Sequence, residues 1–576
     1  MTNRRTRNAA ALKRVTPFLR DESGIMAPQI LVFFFLMLLI GGIAVDLMRF
    51  ENKRVALQQT MDRATLAAAS LGNTLTATED GAKAVVRSYF EAAGIEGSLE
   101  EPEVIPALNS RVVKARATVR SGNYFMSLMG TPHLDAMNVS QAEQRVTNVE
   151  ISLVLDISGS MASNNRINNL KTAASEFIDT VLDQDNENKI SISIVPYNGQ
   201  VNLGPTLFSK FNVTHVNGTA DSYCLDLPTS TYSSTDLSRS TPLPQSPFVD
   251  SWSSTTQSTN YVSITGPAYD NGLYTNMWCQ PNAKTFVSVH DNNRIELKKQ
   301  IDNLVAIGAT SIDLGLKWGA VLLDPESQSI VSEMSAAGKV PSHFSSRPAN
   351  YGDKETLKVI VLMTDGENFE QERHGDNYRT GISDIWQTGS NGYMSIFHAS
   401  KVDSKNATSI CNSRPFYVPH LNAWHSRPWN GSTPGSKDCY QPNPSPAYTN
   451  VQRLTWQAVW SKARTNWVAW QLYARALGGS SSSSRNTYFN TWVNNFRSYT
   501  DTDTMDVRLD RVCEAAKAKG VLIYGIAFEA PTAGARAIKD CASSPASTYF
   551  FDAKGLEIRT AFVLIASNLS QLRLTQ

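Results

Sequence analysis

The stretch that decides the fold reads Glu150-Ile-Ser-Leu-Val-Leu-Asp156-Ile-Ser158-Gly-Ser160. Its first part is short, mostly apolar and bounded by polar sequence, which predicts a buried β-strand. Its second part is a polar turn that begins with a carboxylate and carries two hydroxyls two residues apart. The strand therefore delivers three oxygen-bearing side chains to its carboxyl end, where open α/β sheets bind ligands.

Downstream of this stretch, strand-like and helix-like segments alternate, which is typical of a parallel α/β sheet. The predicted strands lie at 150–155, 189–195, 357–363 and 521–528. The predicted helices, from apolar residues at helical spacing, lie at 168–182, 295–305, 316–323, 505–519 and 556–574.

Three loops in this region carry oxygen ligands: Asp156 with Ser158 and Ser160, then Thr310, then Asp365. The first and third loops directly follow apolar strands, so both belong to the carboxyl edge of the predicted sheet. Hydroxyl and carboxylate oxygens are the donors that Mg²⁺ prefers, with several coordination positions left to water. The alternative is that these are ordinary turn residues, because Asp, Ser and Gly favour turns in general.

In this order and in these loops, Asp156-x-Ser158-x-Ser160, Thr310 and Asp365 resemble the metal-ion-dependent adhesion site (MIDAS) of von Willebrand factor A (VWA) domains. The resemblance implies one bound Mg²⁺, or Mn²⁺ or Ca²⁺, held by these five side chains. It also implies an open coordination position on the metal, which an acidic residue of a protein partner would fill.

The VWA resemblance further implies a doubly wound, Rossmann-like α/β domain over residues 149–576, interrupted by inserts at about 199–293 and 370–504. The second insert holds eight of the eleven Trp residues. Four of them fall at near-helical spacing: Trp456, Trp460, Trp467 and Trp470. They predict either an aromatic recognition face or, as the pattern favours, packing of the insert against the sheet domain. Residues 478–484 are Gly and Ser, which predicts a flexible linker.

Toward the N-terminus, no charged residue occurs between Glu22 and Asp46. As a helix, this run would be about 35 Å long, enough to cross a bilayer core of about 30 Å. We therefore predict a transmembrane helix at 25–46 that contacts the lipid bilayer. Residues 1–24 are rich in Arg and Lys, so the positive-inside tendency assigns them to the cytoplasm. The alternative is a cleaved secretory signal.

Residues 47–148 have a pilin-like pattern, with a long helix followed by a small α+β region. Helix-forming sequence continues without Pro or Gly until Gly72. A second helix is predicted at 80–93, and alternating polarity at 112–119 and 137–146 predicts a few antiparallel strands.

Composition limits the classes of function. Lys and Arg total 53 against 52 Asp and Glu, a net charge of +1, so we expect no nucleic-acid partner. A hydrophobic content of 41% excludes a wholly disordered chain. A single long charge-free run excludes a polytopic membrane protein. The sequence has no G-x-S-x-G, H-E-x-x-H or Walker-type motif, and we predict that the chain is not an enzyme and has no catalytic residues.

The six cysteines form three couples that are local in sequence: Cys224 and Cys279, Cys411 and Cys439, Cys513 and Cys541. Exported chains meet an oxidising compartment, so disulfides are expected. Six cysteines allow fifteen pairings, and the local pairing is one of them. Six buried free thiols are the alternative for a cytosolic chain.

As a whole, the chain resembles the TadG-like proteins of tight-adherence (Tad/Flp) pilus systems. The resemblance rests on Gly24 before an apolar helix, on Asp46, on an Ala-rich juxtamembrane helix and on the VWA-like region that follows. It implies a single-pass inner-membrane component of Flp pilus biogenesis with the bulk of the chain in the periplasm. The implied partners are pilus or secretion-machinery proteins. The alternative is a surface adhesin that binds an external or host ligand by the same metal site.

Overall fold

The computed structural model describes residues 26–70, 78–106, 110–145, 148–183, 185, 187–216, 218–219, 221–246, 249–250, 256–266, 277–353, 355–389, 392–403, 405–442 and 448–570. The chain divides into two compact units, Met1–Arg145 and Val146–Gln576. The basic N-terminus predicted at 1–24 and the helix end predicted at Gly72 lie outside the described residues.

The first unit is a long helix on a small antiparallel sheet. Its elements are helices α1 (Met26–Ala69) and α2 (Glu79–Ala92) and strands β1 (Glu103–Pro106), β2 (Ser110–Gly122) and β3 (His133–Arg145). The sheet order is β1-β2-β3. One face of α1, marked by Gly42, Phe50, Leu57 and Met61, is buried. This spacing matches successive helical turns, so one stripe of α1 covers the sheet.

The N-terminal half of α1 has no such cover within its unit. Ile30, Phe33 and Met37 are 63%, 59% and 68% exposed. Among the described residues, α1 is the one helix whose length and composition would allow it to cross a membrane. This agrees with the predicted span at 25–46 at the level of length and composition.

The second unit alternates strands and helices along the chain. Its strands are β4 (Asn148–Asp156), β5 (Ile190–Tyr197), β6 (Val213–Thr214), β7 (Cys224–Leu225), β8 (Leu243–Ser246), β9 (Ser288–Asp291), β10 (Thr356–Thr364), β11 (Gln371–His374), β12 (Ile382–Thr388), β13 (Met394–Phe397), β14 (Phe416–Val418), β15 (Ala423–His425), β16 (Val451–Thr455), β17 (Arg497–Thr500), β18 (Leu522–Phe528) and β19 (Phe550–Ala553).

Its helices are α3 (Arg166–Leu182), α4 (Gly204–Phe208), α5 (Arg294–Asn303), α6 (Ile312–Val321), α7 (Gln328–Ala336), α8 (Ala407–Asn412), α9 (Trp456–Trp460), α10 (Thr465–Trp467), α11 (Arg475–Gly478), α12 (Ser482–Phe496), α13 (Thr502–Ala518), α14 (Thr532–Cys541), α15 (Ala546–Tyr549) and α16 (Glu557–Ser570). A π-helix, Val468–Ala474, joins α10 to α11.

Six strands form the main sheet in the order β19-β18-β10-β4-β5-β9. The first five run parallel to their neighbours, and β9 is antiparallel to β5. The central strands are buried along almost their whole length, as expected when helices cover both faces of a parallel sheet. Helices α3, α5 and α16 pack together as one group, and α6, α13 and α14 form another.

The sheet differs from the sequence prediction at both edges. The stretch Ser288–Asp291, predicted as the end of the first insert, is strand β9 and pairs with β5. The other edge is β19, which the sequence analysis did not predict. Each of these edge strands is only four residues long, too short for alternation or an apolar run to be distinctive.

The second insert builds a five-stranded sheet of its own, in the order β15-β14-β13-β12-β16. The four Trp residues at near-helical spacing are buried, with exposures between 0% and 7%, as expected if they serve packing. Their cluster consists of residues of the second insert together with Val262 of the first. The prediction that these Trp residues are buried by packing is therefore right. The prediction that they pack against the sheet domain is wrong, because they fill a core internal to the inserts.

The predicted linker at 478–484 is also wrong. Helix α12 begins inside it, and the Ser481 side chain accepts a hydrogen bond from the amide of Ser484 as the N-cap. Ser is among the residues preferred at helix N-caps, so the serine run starts a helix here.

Three disulfides are present: Cys224–Cys279, Cys411–Cys439 and Cys513–Cys541. No free cysteine occurs in the described part of the chain. The third disulfide joins α13 to the end of α14 and so ties α14 to its neighbouring helix.

Candidate metal centre

The two predicted carboxylates come to the same edge of the main sheet. Strands β4 and β10 are parallel neighbours, with Leu155 opposite Met363. Asp156 is the last residue of β4, and Asp365 follows the last residue of β10. Because the ladder pairs Leu155 with Met363, Thr364 is level with Asp156, and Asp365 follows one position further along the same sheet edge.

Backbone hydrogen bonds hold the three ligand-bearing loops together. The amide of Gly159 donates to the carbonyl of Gly308 at 2.9 Å, and the amide of Ile307 donates to the carbonyl of Ile157 at 2.7 Å. The amide of Phe369 donates to the carbonyl of Thr310, also at 2.9 Å. The loop after β4 and the loop after β10 are thus each bonded to the segment that carries Thr310.

The serine hydroxyls converge on Asp365. The Ser160 hydroxyl donates to Asp365 Oδ1 at 2.6 Å, and the Ser158 hydroxyl lies 3.0 Å from that of Ser160 and 3.5 Å from the same carboxylate oxygen. A hydroxyl that donates its proton keeps its oxygen lone pairs. Both serine oxygens can therefore face a cation without giving up their contact with Asp365.

Asp156 is fixed from two directions. Its Oδ1 accepts from the amide of Ser158 at 2.7 Å, and its Oδ2 accepts from the hydroxyl of Thr364 at 2.7 Å. The side chain is fully buried. Burial, together with the nearby negative charge of Asp365, raises the pKa of Asp156 to about 7. The charged form of this carboxylate is therefore costly unless a cation lies close to it.

Arg166 supplies one positive charge to this cluster. Its Nη1 donates to Asp365 Oδ2 at 2.9 Å, and its Nε donates to Glu529 at 2.9 Å. Arg166 follows Asn164 and Asn165, which both have positive φ, at 52° and 59°. Asn tolerates this conformation better than most residues, and the turn that it permits directs the first residue of α3 back to the loop edge.

The hydroxyls of Thr310 and Ser160 both lie close to Gly366. Their oxygens are 3.7 Å and 4.0 Å from the point where a Cβ would be built on this glycine. A side chain at position 366 would therefore come into van der Waals contact with both hydroxyls. Ser160 is exposed while Asp156, Ser158 and Asp365 are buried, so the cluster opens to solvent on the Ser160 side.

The donor set fits a hard divalent cation. Adjoining loops bring two carboxylates and three hydroxyls to one edge of the sheet, and hard cations of the Mg²⁺ and Ca²⁺ class prefer oxygen ligands. The described residues contain no group of three or more His, Cys, Asp or Glu that could hold a metal. Any metal here would therefore depend on hydroxyl ligands as much as on carboxylates.

Three residues of this cluster, Thr364, Arg166 and Glu529, were not predicted from the sequence. Thr364 stood directly before Asp365 in the sequence, and its position at a strand end was a usable signal. Arg166 and Glu529 gave no such signal. Glu529 has a positive φ of 53° and reaches Arg166 from the end of β18, a contact that only the folded sheet creates.

One family model matches the N-terminal part of this chain. The model of the family described as "Putative Flp pilus-assembly TadE/G-like" matches residues 26–71, which contain α1. The match links the N-terminal part of this chain to Flp pilus assembly. No protein with a curated function matches the chain.

Several solved structures of pilus proteins are distantly similar. The vWF domain of the type V pili tip protein Mfa5 from Porphyromonas gingivalis is 14% identical, with 74% of this chain and 97% of that chain covered and a TM-score of 0.29. The adhesive tip pilin GBS104 from Group B Streptococcus agalactiae is 11% identical, with 74% and 100% covered and a TM-score of 0.26. The pilus adhesin SpaC from Lactobacillus rhamnosus GG is 10% identical, with 81% and 33% covered and a TM-score of 0.26.

Proposed function

We propose that the chain is a membrane-anchored component of Flp pilus assembly whose second unit is a VWA domain. In this proposal, the domain binds an acidic residue of a pilus or secretion-machinery protein through a divalent metal. Asp156, Ser158, Ser160, Thr310 and Asp365 hold the metal, which is Mg²⁺, or Mn²⁺ or Ca²⁺.

The observation that carries the proposal is the meeting of Ser158, Ser160 and Asp365, with hydroxyl-to-carboxylate distances of 2.6 and 3.5 Å. These residues are about two hundred positions apart in sequence, with separations of 205 and 207. Turn preference explains a hydroxyl or carboxylate in one loop, but it does not explain why two loops aim such groups at one another.

Electrostatics also supports a cation at this place. If ionised, Asp156, Asp365 and Glu529 contribute three negative charges, and Arg166 contributes one positive charge. The net charge is then −2, and Arg166 contacts Asp365 and Glu529 but not the buried Asp156, whose pKa is raised to about 7. A divalent cation would neutralise the remaining charge, and its binding would lower that pKa again.

The surroundings of the cluster suit a protein partner. Ser160 opens the cluster to solvent, and Phe369, which is bonded through its amide to Thr310, has a side chain that is 43% exposed. When bound, the metal would offer an open position to a partner's carboxylate, a charge-assisted contact. The exposed ring of Phe369 would add apolar contact beside it.

For the anchor, we propose a single pass through the inner membrane at 25–46. Residues 1–24 then lie in the cytoplasm, and the bulk of the chain lies in the periplasm. The apolar, exposed N-terminal half of α1 and the family match over residues 26–71 support this arrangement. The three disulfides are compatible with an oxidising compartment.

The test combines capture of a partner with removal of the metal. Full-length protein in native membranes should capture a pilus or secretion-machinery protein, and the capture should fail after chelation with EDTA. Thr310→Ala should fold and reach the membrane but lose capture. Thr491→Ala is the matched control, because Thr491 is an exposed helical threonine in the insert. If chelated protein and Thr310→Ala both retain full capture, the metal-dependent function is wrong.

A second experiment, on cells that lack this protein, tests the adhesin alternative. Capture of an external or host ligand, with pili forming normally in cells that lack this protein, would favour a surface adhesin over an assembly component.

A further inference from the structure

The loop between β2 and β3 in the first unit, residues 123–131, is an exposed apolar tip. No charged residue occurs from Ser121 to Pro132. Tyr124, Leu128 and Met129 are 67%, 80% and 59% exposed. Exposed clusters of large apolar side chains usually mark a surface that binds protein or lipid.

Hydrogen bonds within this loop give it a defined backbone conformation. The amide of Asn123 donates to the carbonyl of Pro132, its side chain donates to the carbonyl of Thr131, and the amide of Thr131 donates to the carbonyl of Met126. A short 3-10 turn, Met126–Met129, ends at Gly130, which has a positive φ of 87°. The apolar side chains are therefore presented on a fixed backbone.

Asp46 of α1 fixes the position of this loop. Its carboxylate accepts hydrogen bonds from three consecutive loop amides, those of Tyr124, Phe125 and Met126, at 3.0, 2.7 and 2.8 Å. The Asp46 side chain is only 1% exposed. The single charge near the end of the apolar run is thus covered by the loop and is not presented at the outer surface of the helix.

Gly42 brings the loop still closer to the apolar run. A Cβ on Gly42 would lie 2.2 Å from the ring of Phe125, so this ring occupies the space of a missing side chain. Gly42 is one helical turn before Asp46, on the side of the predicted span. The loop therefore lies beside the last turn of the charge-free segment.

The exposed apolar surface of α1 continues past Asp46. Leu47 and Met48 are 50% and 66% exposed, and the next charged residue is Arg49. The guanidinium of Arg49 lies over the Tyr124 ring at 4.2 Å from its centroid. Arg49 is seven positions after Gly42, about 10 Å along a helix. Tyr and Arg are typical of the headgroup level of a membrane.

We infer that residues 123–131 enter the interfacial layer of the bilayer on the side where α1 leaves it. Tyr124 and Arg49 lie at the headgroups, and Leu128 and Met129 reach the boundary with the acyl chains. The inference rests on the proposed membrane anchor, and it adds a second membrane contact that is separate from the span. The continuity of this loop with the exposed apolar face of α1 favours lipid over a protein as its occupant.

The test uses the full chain, reconstituted in vesicles of phosphatidylethanolamine and phosphatidylglycerol. Leu128→Cys is labelled with an environment-sensitive fluorophore, and quenching is measured with iodide and with lipids that carry nitroxides near the headgroup. Ile105→Cys is the matched control, because Ile105 is 44% exposed and pairs with Val112 near the opposite end of β2. Phe35→Cys reports on the anchor.

We expect the Leu128 label to be quenched by the nitroxide lipids and to be several-fold less sensitive to iodide than the Ile105 label. If the Phe35 label is quenched by lipid but the Leu128 label responds like the Ile105 label, the loop inference is wrong and the anchor stands. A Leu128 label that is shielded from both quenchers would mean that protein covers the loop, which also overturns it. If the Phe35 label itself is not quenched by lipid, the anchor and the inference fail together.

Discussion

Each unit of this chain buries a carboxylate at a loop, and the two are surrounded by different donors. The Asp46 carboxylate accepts hydrogen bonds from three backbone amides. Asp365 accepts a serine hydroxyl at 2.6 Å and a guanidinium at 2.9 Å. Backbone amides only donate, whereas hydroxyls keep lone pairs that can turn to a cation. The first arrangement is closed and structural, and in the proposed function the second exchanges its partners for a metal.

The largest expected effect is loss of metal binding in Asp365→Asn. The amide removes one negative charge and places a donor where Ser160 and Arg166 already donate. We expect the Mg²⁺ affinity to fall by at least about 100-fold, measured by calorimetry on the full chain in detergent. Asp376→Asn is the control, because the Asp376 side chain is 99% exposed. Equal affinity in Asp365→Asn and in the parent would mean that this cluster does not bind the metal.

Acid should destabilise the second unit because it contains buried histidine side chains that are neutral in the folded state. His290 is fully buried, with its Nδ1 2.9 Å from the Ser191 hydroxyl and its Nε2 2.9 Å from the Leu322 carbonyl. Burial lowers its pKa from 6.5 to about 4, with Glu150 opposing this shift and Arg347 adding to it. The pKa of His374 is lowered in the same direction, also by burial.

The sign follows from which state binds the proton first. As the pH falls below about 6.5, the unfolded chain takes up the proton while folded His290 stays neutral. The free energy of unfolding should therefore be unaffected by this group above pH 6.5 and should fall by up to about 3 kcal/mol toward pH 4. Urea unfolding of the parent and of His290→Gln at pH 7, 5.5 and 4.5 measures this. Parallel pH profiles for the two proteins would contradict it.

On the closed side of the comparison, Asp46→Asn should loosen the 123–131 loop and leave metal binding unchanged. The neutral amide loses the charge-assisted bonds to three amides, and its own N–H₂ group points a donor at donors. We expect hydrogen-exchange protection at Tyr124, Phe125 and Met126 to fall by at least about tenfold. Glu51→Gln is a neighbouring control on the same helix. Unchanged protection would mean that the carboxylate does not hold the loop.

Gly534→Ala should weaken the metal site without removing a ligand. A Cβ at this position of α14 would lie 2.0 Å from the carbonyl oxygen of Gly366, and the disulfide at Cys541 limits how far α14 can shift. We expect the loop after Asp365 to be displaced and the Mg²⁺ affinity to drop by about fivefold. Gly352→Ala, which meets nothing within 4 Å, should bind like the parent. A Gly534→Ala protein with parental affinity would show that this loop tolerates displacement.

The ends of β4 and β10 were predictable from the sequence, because each strand is a mostly apolar segment that leads into a polar turn with an Asp. The position of Asp156 and Asp365 at the same edge of the sheet could therefore be predicted. The sequence did not predict β9 or β19, since both are short strands whose assignment depends on their neighbours. Arg166 was missed because its approach depends on two left-handed Asn residues. The near-helical spacing of the Trp residues in the second insert predicted their burial. It could not predict what they pack against, because that depends on the insert's own sheet.

The smallest expected effect on Mg²⁺ affinity comes from replacing Arg166, whose positive charge competes with the metal for Asp365. Its side chain is 15% exposed and its guanidinium contacts both Asp365 and Glu529. A positive charge at this distance opposes a divalent cation at the same carboxylate, but solvent screens part of this repulsion. Arg166→Gln keeps a donor for Asp365 and removes the charge. We expect the Mg²⁺ affinity to rise by about threefold.

The matched control is Arg559→Gln, because Arg559 pairs with Glu176 on α3 and is 59% exposed. Its removal changes the net charge equally but leaves the metal cluster untouched. The gain in Arg166→Gln should shrink as salt is raised, since a repulsion between charges is screened by ions. A fall in Mg²⁺ affinity would instead mean that Arg166 orients Asp365 for the metal. The guanidinium would then be part of the site and not a cation that the metal replaces.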